Sequence, residues 1–144
     1  MTSVTLPDAP AIEVGRTVAG LDPHELTRAH GSPLFVYDGD VLRARAAALR
    51  AALPRPVEIA FATKANSSPA VLSTLASAGL GADVASGGEL RAVLRAGFSP
   101  ERVVFTGPGK TDAELEQAIA AGITINVESA NELVRIDAIG SALA

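Results

Sequence analysis

Apolar residues recur in a regular pattern from residue 57 onward, where short apolar runs alternate with segments of helical periodicity. The runs predict strands at 57–63, 80–84, 102–106 and 123–127. The intervening segments carry apolar residues at three- and four-residue spacing, which predicts helices at 69–78, 87–96, 112–121 and 130–139. Strand starts recur about every 22 residues, which is the period of a compact β-loop-α-loop unit.

The ends of these helices carry local start and stop signals. In three helices a serine or threonine stands three residues before a glutamate, which predicts capping boxes: Ser86 with Glu89, Thr111 with Glu114, and Ser129 with Glu132. Three helices are followed by a glycine at the position of a left-handed closing turn: Gly79, Gly97 and Gly122. Both kinds of signal support the predicted helices.

The chain before the first of these strands predicts a short helix, a short strand and a longer helix. Asp22, followed by proline, predicts the start of the short helix. Residues 34–37 predict the strand, and Asp38 caps an alanine- and arginine-rich helix that ends near residue 53. Residues 1–21 contain no clear element and are interpreted as an extended lead-in.

Four successive β/α units, with right-handed crossovers as the default, predict a parallel sheet covered by helices. Such a sheet either stays open and doubly wound or closes into a barrel. A complete eight-unit barrel needs about 200 to 250 residues. This chain of 144 residues has about half of one. We therefore predict an α/β fold, the N-terminal half of a (β/α)8 TIM-type barrel, with residues 22–144 as a partial barrel domain.

Composition and charge narrow the class of protein. Apolar residues make up 48% of the chain and charged residues 19%, which is typical of soluble globular proteins. The net charge of -4 and the lack of a basic cluster argue against nucleic-acid binding. No apolar stretch reaches the length of a membrane span and no signal peptide is apparent, so we expect a cytoplasmic protein.

Cysteine and histidine, two of the residue types that bind metals, are scarce in this chain. The chain has no cysteine, which excludes disulfides and thiolate metal sites. His24 and His30 are the two histidines, and neither has a partner at metal-ligand spacing. No metal site is predicted.

Lys64 stands at the end of the most continuous apolar run, just before the Asn-Ser-Ser-Pro segment that starts the next helix. In α/β folds, ligands bind at this carboxyl edge of the sheet. One interpretation is a snorkelling lysine, whose stem packs on the sheet and whose ammonium stays in water. The other is a partly desolvated amine that attacks a carbonyl and forms a Schiff base. Placement alone leaves both open.

Other side chains with carboxylate, amine or amide groups lie near the carboxyl ends of the next predicted strands, at the same edge: Asp83, Glu89, Lys110, Asn126 and Glu128. In a barrel these loops share one rim, so the side chains converge on one site. The Gly-Lys-Thr segment that contains Lys110 is not a phosphate-binding P-loop, because position 104 holds valine where that motif requires glycine.

Glu89 has two possible roles. Its spacing from Ser86 makes it a capping residue. Its helix also starts at the rim with two glycines, whose N–H groups favour an anion. The residues by themselves favour the capping role.

Several motifs resemble the fold type III pyridoxal-phosphate decarboxylases, the ornithine/diaminopimelate/arginine decarboxylase family. Phe-Ala-Thr-Lys-Ala-Asn at 61–66 resembles the lysine motif of that family. Asp-Val-Ala-Ser-Gly-Gly-Glu-Leu at 83–90 resembles its second motif, in the form found in diaminopimelate decarboxylases. Further matching stretches follow the family order at 31–38, 105–110 and 126–129, so the resemblance covers nearly everything from Asp22 onward.

The resemblance implies a barrel of alanine-racemase type that holds pyridoxal 5'-phosphate at its carboxyl rim, with Lys64 forming the internal aldimine. Asp83 would lie beside the lysine and the cofactor, and Glu89 near the lysine amine once substrate displaces it. The implied activity is that of a carboxy-lyase acting on a small-molecule amino acid. Among known substrates the best match is meso-diaminopimelate, which is converted to L-lysine. Family members work as homodimers.

Parts of the family pattern fall outside this sequence. The glycine-rich phosphate loop, the histidine that stacks on the cofactor and the carboxylate that pairs with the pyridine nitrogen lie later in family members. So does a C-terminal β-domain. Thr63 stands where valine or isoleucine is more usual. We therefore expect residues 1–144 by themselves to be inactive.

Three alternatives stay open. The Gly-Pro-Gly-Lys-Thr segment also resembles decarboxylases of carrier-bound or secondary-metabolite amino acids. Alanine racemases share the barrel and the lysine, although the Ser-Gly-Gly-Glu motif favours decarboxylation. A half-barrel that binds a partner or the cofactor without catalysis is the third.

Overall fold

Two helices and four β/α units make up the part of the chain that the computed structural model describes, residues 17–143. The leading helices are α1 (Pro23–His30) and α2 (Gly39–Ala52). The units are β1 (Ala60–Ala62) with α3 (Pro69–Ser77), β2 (Gly81–Val84) with α4 (Gly87–Arg95), β3 (Val103–Phe105) with α5 (Asp112–Ala121), and β4 (Thr124–Ile125) with α6 (Ala130–Leu143). Short 3-10 turns lie at Thr63–Ala65 and Pro100–Arg102. Among these residues, no helix is long and apolar enough to cross a membrane.

The four strands form one parallel sheet in the order β1-β2-β3-β4. The register aligns Ala62 with Asp83, Asp83 with Val104, and Val104 with Thr124. A doubly wound sheet reverses its strand order at a switch point, whereas a barrel adds each strand beside the previous one. The observed order is that of a barrel, and β1 and β4 are its open edges.

One face of this sheet is covered by helices and the other is not. On the covered face Val84, Val103 and Phe105 are fully buried. They pack in one cluster with helix residues that include Leu72, Leu75, Leu90 and Val93. Burial of each large apolar side chain contributes about 1.5–3 kcal/mol. Residues of the other face stay partly or fully exposed: Ala60, Ala62, Val104 and Thr124. The core therefore lies between the sheet and the helices.

The predicted helix caps are largely confirmed. Asp22 and Asp38 cap α1 and α2 through their side chains. Thr111 and Glu114 form the complete reciprocal box of α5. In α4 and α6 the serine accepts the glutamate N–H as predicted, but the glutamate carboxylate reaches back to the residue before the cap, Ala85 or Glu128.

The predicted strands are longer than the observed ones. A segment forms a strand only where a neighbouring strand lies opposite it. Of the predicted strand 57–63, only Ala60–Ala62 form β1, and the 3-10 turn begins at the next residue. Residues 34–37 belong to no helix or strand and have no strand partner within residues 17–143, and Phe35 is 84% exposed. The strand predicted there is therefore wrong. Of the predicted lead-in, residues 1–16 lie outside the described part.

Candidate active site

The uncovered face of the sheet brings several predicted site residues to its carboxyl edge. Side chains alternate between the two faces of a strand. Asp83 therefore lies on the uncovered face with its register partners Ala62 and Val104. Two residues further along β3 and β4, Thr106 and Asn126 continue the same face. Their backbone N–H groups donate to Val84 and Phe105 at 2.9 Å each, so the strand pairing extends to them.

The 3-10 turn after β1 places Lys64 at this edge. Thr63 is fully buried and Lys64, the next residue, is exposed. Within residues 17–143, no hydrogen bond or ion pair involves the Lys64 ammonium. Its amine is therefore accessible to a ligand, although it is exposed to solvent and not partly desolvated as the Schiff-base interpretation expects. The hydroxyl of Thr63 has no hydrogen-bond partner within the same range, and the sequence gives no sign of this.

Asp83 lies on the strand next to that of the lysine and is half-buried. Its Oδ1 accepts a hydrogen bond from Thr106 Oγ1 at 2.7 Å. The spacing of residues in the sequence does not predict this hydrogen bond, because the bond depends on the register between β2 and β3. Thr106 is thus a site residue that the sequence analysis missed.

Glu89 begins helix α4 and contacts the backbone of its own loop. Its Oε2 accepts the Ala85 N–H at 2.8 Å, while its backbone N–H donates to Ser86 Oγ at 3.2 Å. In this arrangement the carboxylate closes the loop around the helix start. Its predicted position near the lysine amine remains a prediction.

The first glycine of α4 already has an anionic partner within the chain. The Gly87 N–H donates to Glu114 Oε1 at 2.8 Å. A Cβ at position 87 would lie 3.0 Å from Glu114 Cγ, so the glycine leaves room for this carboxylate. Hydrogen bonds from the Thr111 and Gly87 backbones lower the pKa of Glu114. The chain's own carboxylate therefore occupies the N–H that a phosphate would need.

Lys110, predicted to lie at the rim, is buried instead. Its Nζ donates to the carbonyls of Gly107 at 2.7 Å and Asn126 at 2.8 Å. It also forms an ion pair with Glu132 at 3.2 Å, and the two side chains are 1% and 3% exposed. The hydrogen bond from the Glu128 backbone, together with Lys110, lowers the pKa of Glu132. Lys110 thus joins the loops after β3 and β4, and a Gly-Lys-Thr phosphate site is excluded.

Within the described part of the chain, no metal-binding cluster accompanies these groups. Among residues 17–143, no cluster of three histidine, aspartate or glutamate side chains is arranged to hold a metal ion. The chemistry available at the edge is that of an amine, a carboxylate and hydroxyl or amide groups.

The family model described as "Pyridoxal-dependent decarboxylase, pyridoxal binding domain" matches residues 39–142. The chain belongs to this family. The match runs from the start of α2 into α6, so it includes all four β/α units. Membership in the pyridoxal-dependent decarboxylases confirms the predicted resemblance and the predicted cofactor.

Individual relatives agree with this family. The chain is 40% identical over 127 residues to the diaminopimelate decarboxylase of Aquifex aeolicus, covering 88% of this chain and 30% of the relative. It resembles the crystal structure of AQ1208 from Aquifex aeolicus with a TM-score of 0.84 at 40% identity, over 88% of this chain and 32% of that one. Diaminopimelate decarboxylase from Helicobacter pylori, in complex with L-lysine, gives a TM-score of 0.77 at 38% identity, over 85% and 32%.

The chain therefore spans about a third of the length of these relatives. Their likeness extends over the β/α units, which confirms the predicted half-barrel fold.

Proposed function

We propose that this chain is the cofactor-attachment part of a pyridoxal-phosphate-dependent amino-acid decarboxylase, with Lys64 as the attachment residue. The observation that carries the proposal is a contrast between the two lysines of the chain. Lys110 is held in a buried ion pair, whereas Lys64 is exposed, without a partner among residues 17–143, at the carboxyl edge of the sheet. Lys64 also lies in the segment that resembles the lysine motif.

The side chains at this edge fit the chemistry of pyridoxal phosphate. Its aldehyde requires a primary amine, which Lys64 offers from the exposed position it has in the 3-10 turn after β1. Asp83 offers a carboxylate on the uncovered face of the adjacent strand β2, without a cationic partner among the described residues. The bound cofactor would supply a pyridinium ring that delocalises the electron pair left when a carboxylate departs.

The residues of this chain have separate tasks in the proposal. Lys64 Nζ would hold the cofactor through its aldehyde carbon. Asp83 positions the cofactor beside the lysine. Glu89, at the start of α4, would release the Ala85 N–H, accept a proton from the Lys64 ammonium and later return it, and so act as a proton carrier.

The proposed reaction is the decarboxylation of meso-diaminopimelate to L-lysine. Support comes from the names of the relatives described above, and from the Ser-Gly-Gly-Glu segment at the start of α4. A non-catalytic binding module is not favoured, because these relatives are decarboxylases.

The whole protein would be longer than this chain. We propose that residues 22–144 form part of its barrel domain, that the protein is a cytoplasmic homodimer, and that the remaining segments anchor the cofactor phosphate and ring nitrogen. The uncovered sheet face supports this proposal, since a closed barrel would bury it.

The test is a carbon dioxide release assay on the full-length protein that carries this chain. With pyridoxal phosphate present, we expect release from meso-diaminopimelate and at least about 10-fold less from ornithine, arginine or lysine. Lys64→Ala should abolish the release. A wild-type protein that binds pyridoxal phosphate but releases carbon dioxide from none of these amino acids would overturn the proposed activity.

A further inference from the structure

Thr106 connects the strand pairing to the carboxylate of Asp83. Its backbone N–H donates to the Val84 carbonyl at 2.9 Å, which fixes the main chain one residue beyond the end of β3. Its hydroxyl donates to Asp83 Oδ1 at 2.7 Å across the two strands. Both side chains are half-buried on the uncovered face.

Gly107, the residue after Thr106, is hydrogen-bonded at both its backbone N–H and its backbone carbonyl. The Gly107 N–H donates to Glu128 Oε1 at 2.8 Å, and its carbonyl accepts from Lys110 Nζ at 2.7 Å. Gly107 has a φ of 108°, a backbone conformation that favours glycine. Because the main chain is fixed on both sides of the Thr106 side chain, its hydroxyl has little freedom to move away from Asp83.

We propose that Thr106 is a positioning residue for Asp83, an inference that rests on the proposed function. The hydroxyl holds Oδ1 and leaves Oδ2, which has no hydrogen-bond partner within residues 17–143, to face the cofactor and Lys64. A neutral donor orients the carboxylate without neutralising it, whereas a lysine or arginine would cancel its charge. Functional groups reach full effect only when such supporting contacts fix their geometry.

A purely structural tie between β2 and β3 would use the same hydrogen bond. The two roles predict different consequences of losing the bond. A structural tie affects the free energy of unfolding, whereas a positioning contact affects cofactor binding and turnover through Asp83. The experiment therefore measures stability and cofactor affinity separately.

Three variants of Thr106 are compared. Thr106→Val keeps the shape of the side chain but lacks the hydroxyl, and Thr106→Ala lacks the hydroxyl and is too small to clash. Thr106→Ser keeps the hydroxyl. Thr124→Val is the matched control, because Thr124 lies on the same face of the adjacent strand and its hydroxyl does not contact Asp83. All are made in the full-length protein. The dissociation constant of pyridoxal phosphate is measured by absorbance titration, with kcat, KM and the thermal midpoint alongside.

We expect Thr106→Val and Thr106→Ala to raise the dissociation constant of pyridoxal phosphate, or to lower kcat, by about 10- to 100-fold. Both quantities should stay within about threefold of wild type in Thr106→Ser and Thr124→Val. In an Asp83→Ala background, Thr106→Val should add less than about twofold. The inference is overturned if Thr106→Val and Thr106→Ala behave like Thr124→Val, or lose thermal stability alone. It is also overturned if their effect persists undiminished beside Asp83→Ala. A wild-type protein without pyridoxal phosphate on Lys64 would instead refute the proposed function itself.

Discussion

Lys64 and Lys110 show how the surroundings of a residue decide what its amine can do. Lys110 donates to two carbonyls and a carboxylate in a nearly solvent-free position, so its amine is not available to a ligand. Lys64 follows Thr63, a buried residue of the 3-10 turn after β1, and is itself exposed to solvent. The motif around Lys64 predicts its role, whereas the burial of Lys110 depends on Glu132, 22 positions later, and could not be read from the sequence.

Asp83 and Thr106 illustrate the same limit at the candidate site. The resemblance singles out Asp83 because it lies within a motif. Thr106 lies in another matching stretch, but its importance appears only when the parallel register brings it next to Asp83. Contacts that depend on register between strands are not encoded in local spacing.

A substitution of Glu89 separates its two roles. The neutral side chain of Glu89→Gln still has an oxygen that accepts the Ala85 N–H, but it cannot carry a proton as a carboxylate does. We expect the free energy of unfolding to stay within about 0.5 kcal/mol of wild type while turnover falls at least about 10-fold. Denaturant unfolding and steady-state kinetics on the full-length protein measure the two quantities. Turnover equal to wild type would leave Glu89 with a capping role alone.

Helices were predicted more closely than strands because their ends are set locally. The observed α5 coincides with the predicted 112–121, and α3 and α4 each end one residue earlier than predicted. Strand ends depend instead on the neighbouring strand, which the sequence does not show. For the same reason residues 34–37, with strand-like composition, remain unpaired in the described part of the chain.

The buried pair of Lys110 and Glu132 ties the β3–α5 loop to the β4–α6 loop. Lys110→Met leaves Glu132 buried without its cation, and should lower the free energy of unfolding by about 3–5 kcal/mol. Lys110→Met combined with Glu132→Leu should cost less than the single change, because no buried charge remains. Arg43→Ala, at an exposed ion pair with Asp40, is the control and should cost less than about 1 kcal/mol. If Lys110→Met costs no more than this control, the pair has no structural role.

The same pair predicts a pH dependence. The pKa of Glu132 is lowered below its ordinary value of 4.5, so the unfolded state binds the proton more readily than the folded state. This contribution to stability is fully present above pH 4.5 and is lost as the pH falls through the lowered pKa. Urea unfolding measures the free energy of unfolding between neutral pH and pH 3. This free energy should fall less in the variant that combines Lys110→Met with Glu132→Leu than in wild type. Parallel acid curves for the two proteins would contradict this.

At the scale of the molecule, the strand order and the covered face identify half of a barrel. The β/α repeat of about 22 residues predicts a parallel sheet but also allows a doubly wound order, so the choice of a barrel depends on the chain length and is confirmed by the observed strand order. The open edges and the uncovered face follow from the number of units and were also predictable. Apolar side chains that are more than half exposed within residues 17–143 include Phe35, Tyr37, Leu133 and Val134.

This surface predicts the behaviour of the 144 residues when they are produced by themselves. Edge strands with unpaired backbone groups, together with exposed apolar side chains, promote association. We expect oligomers or a partly unfolded chain in analytical ultracentrifugation, and no decarboxylation above that of free pyridoxal phosphate. A monodisperse, cooperatively folded monomer that releases carbon dioxide from meso-diaminopimelate would show that these residues suffice.

The central claim is that Lys64 carries the cofactor, and reductive labelling tests it most directly. The full-length protein is loaded with pyridoxal phosphate, reduced with borohydride, digested and analysed by mass spectrometry. Borohydride converts an imine into a stable amine, so the pyridoxyl mass stays on the lysine that held the cofactor. We predict this mass on the peptide that contains Lys64 and none on the peptide that contains buried Lys110. Labelling of Lys110 or of a lysine outside this chain, with Lys64 unmodified, would contradict the claim.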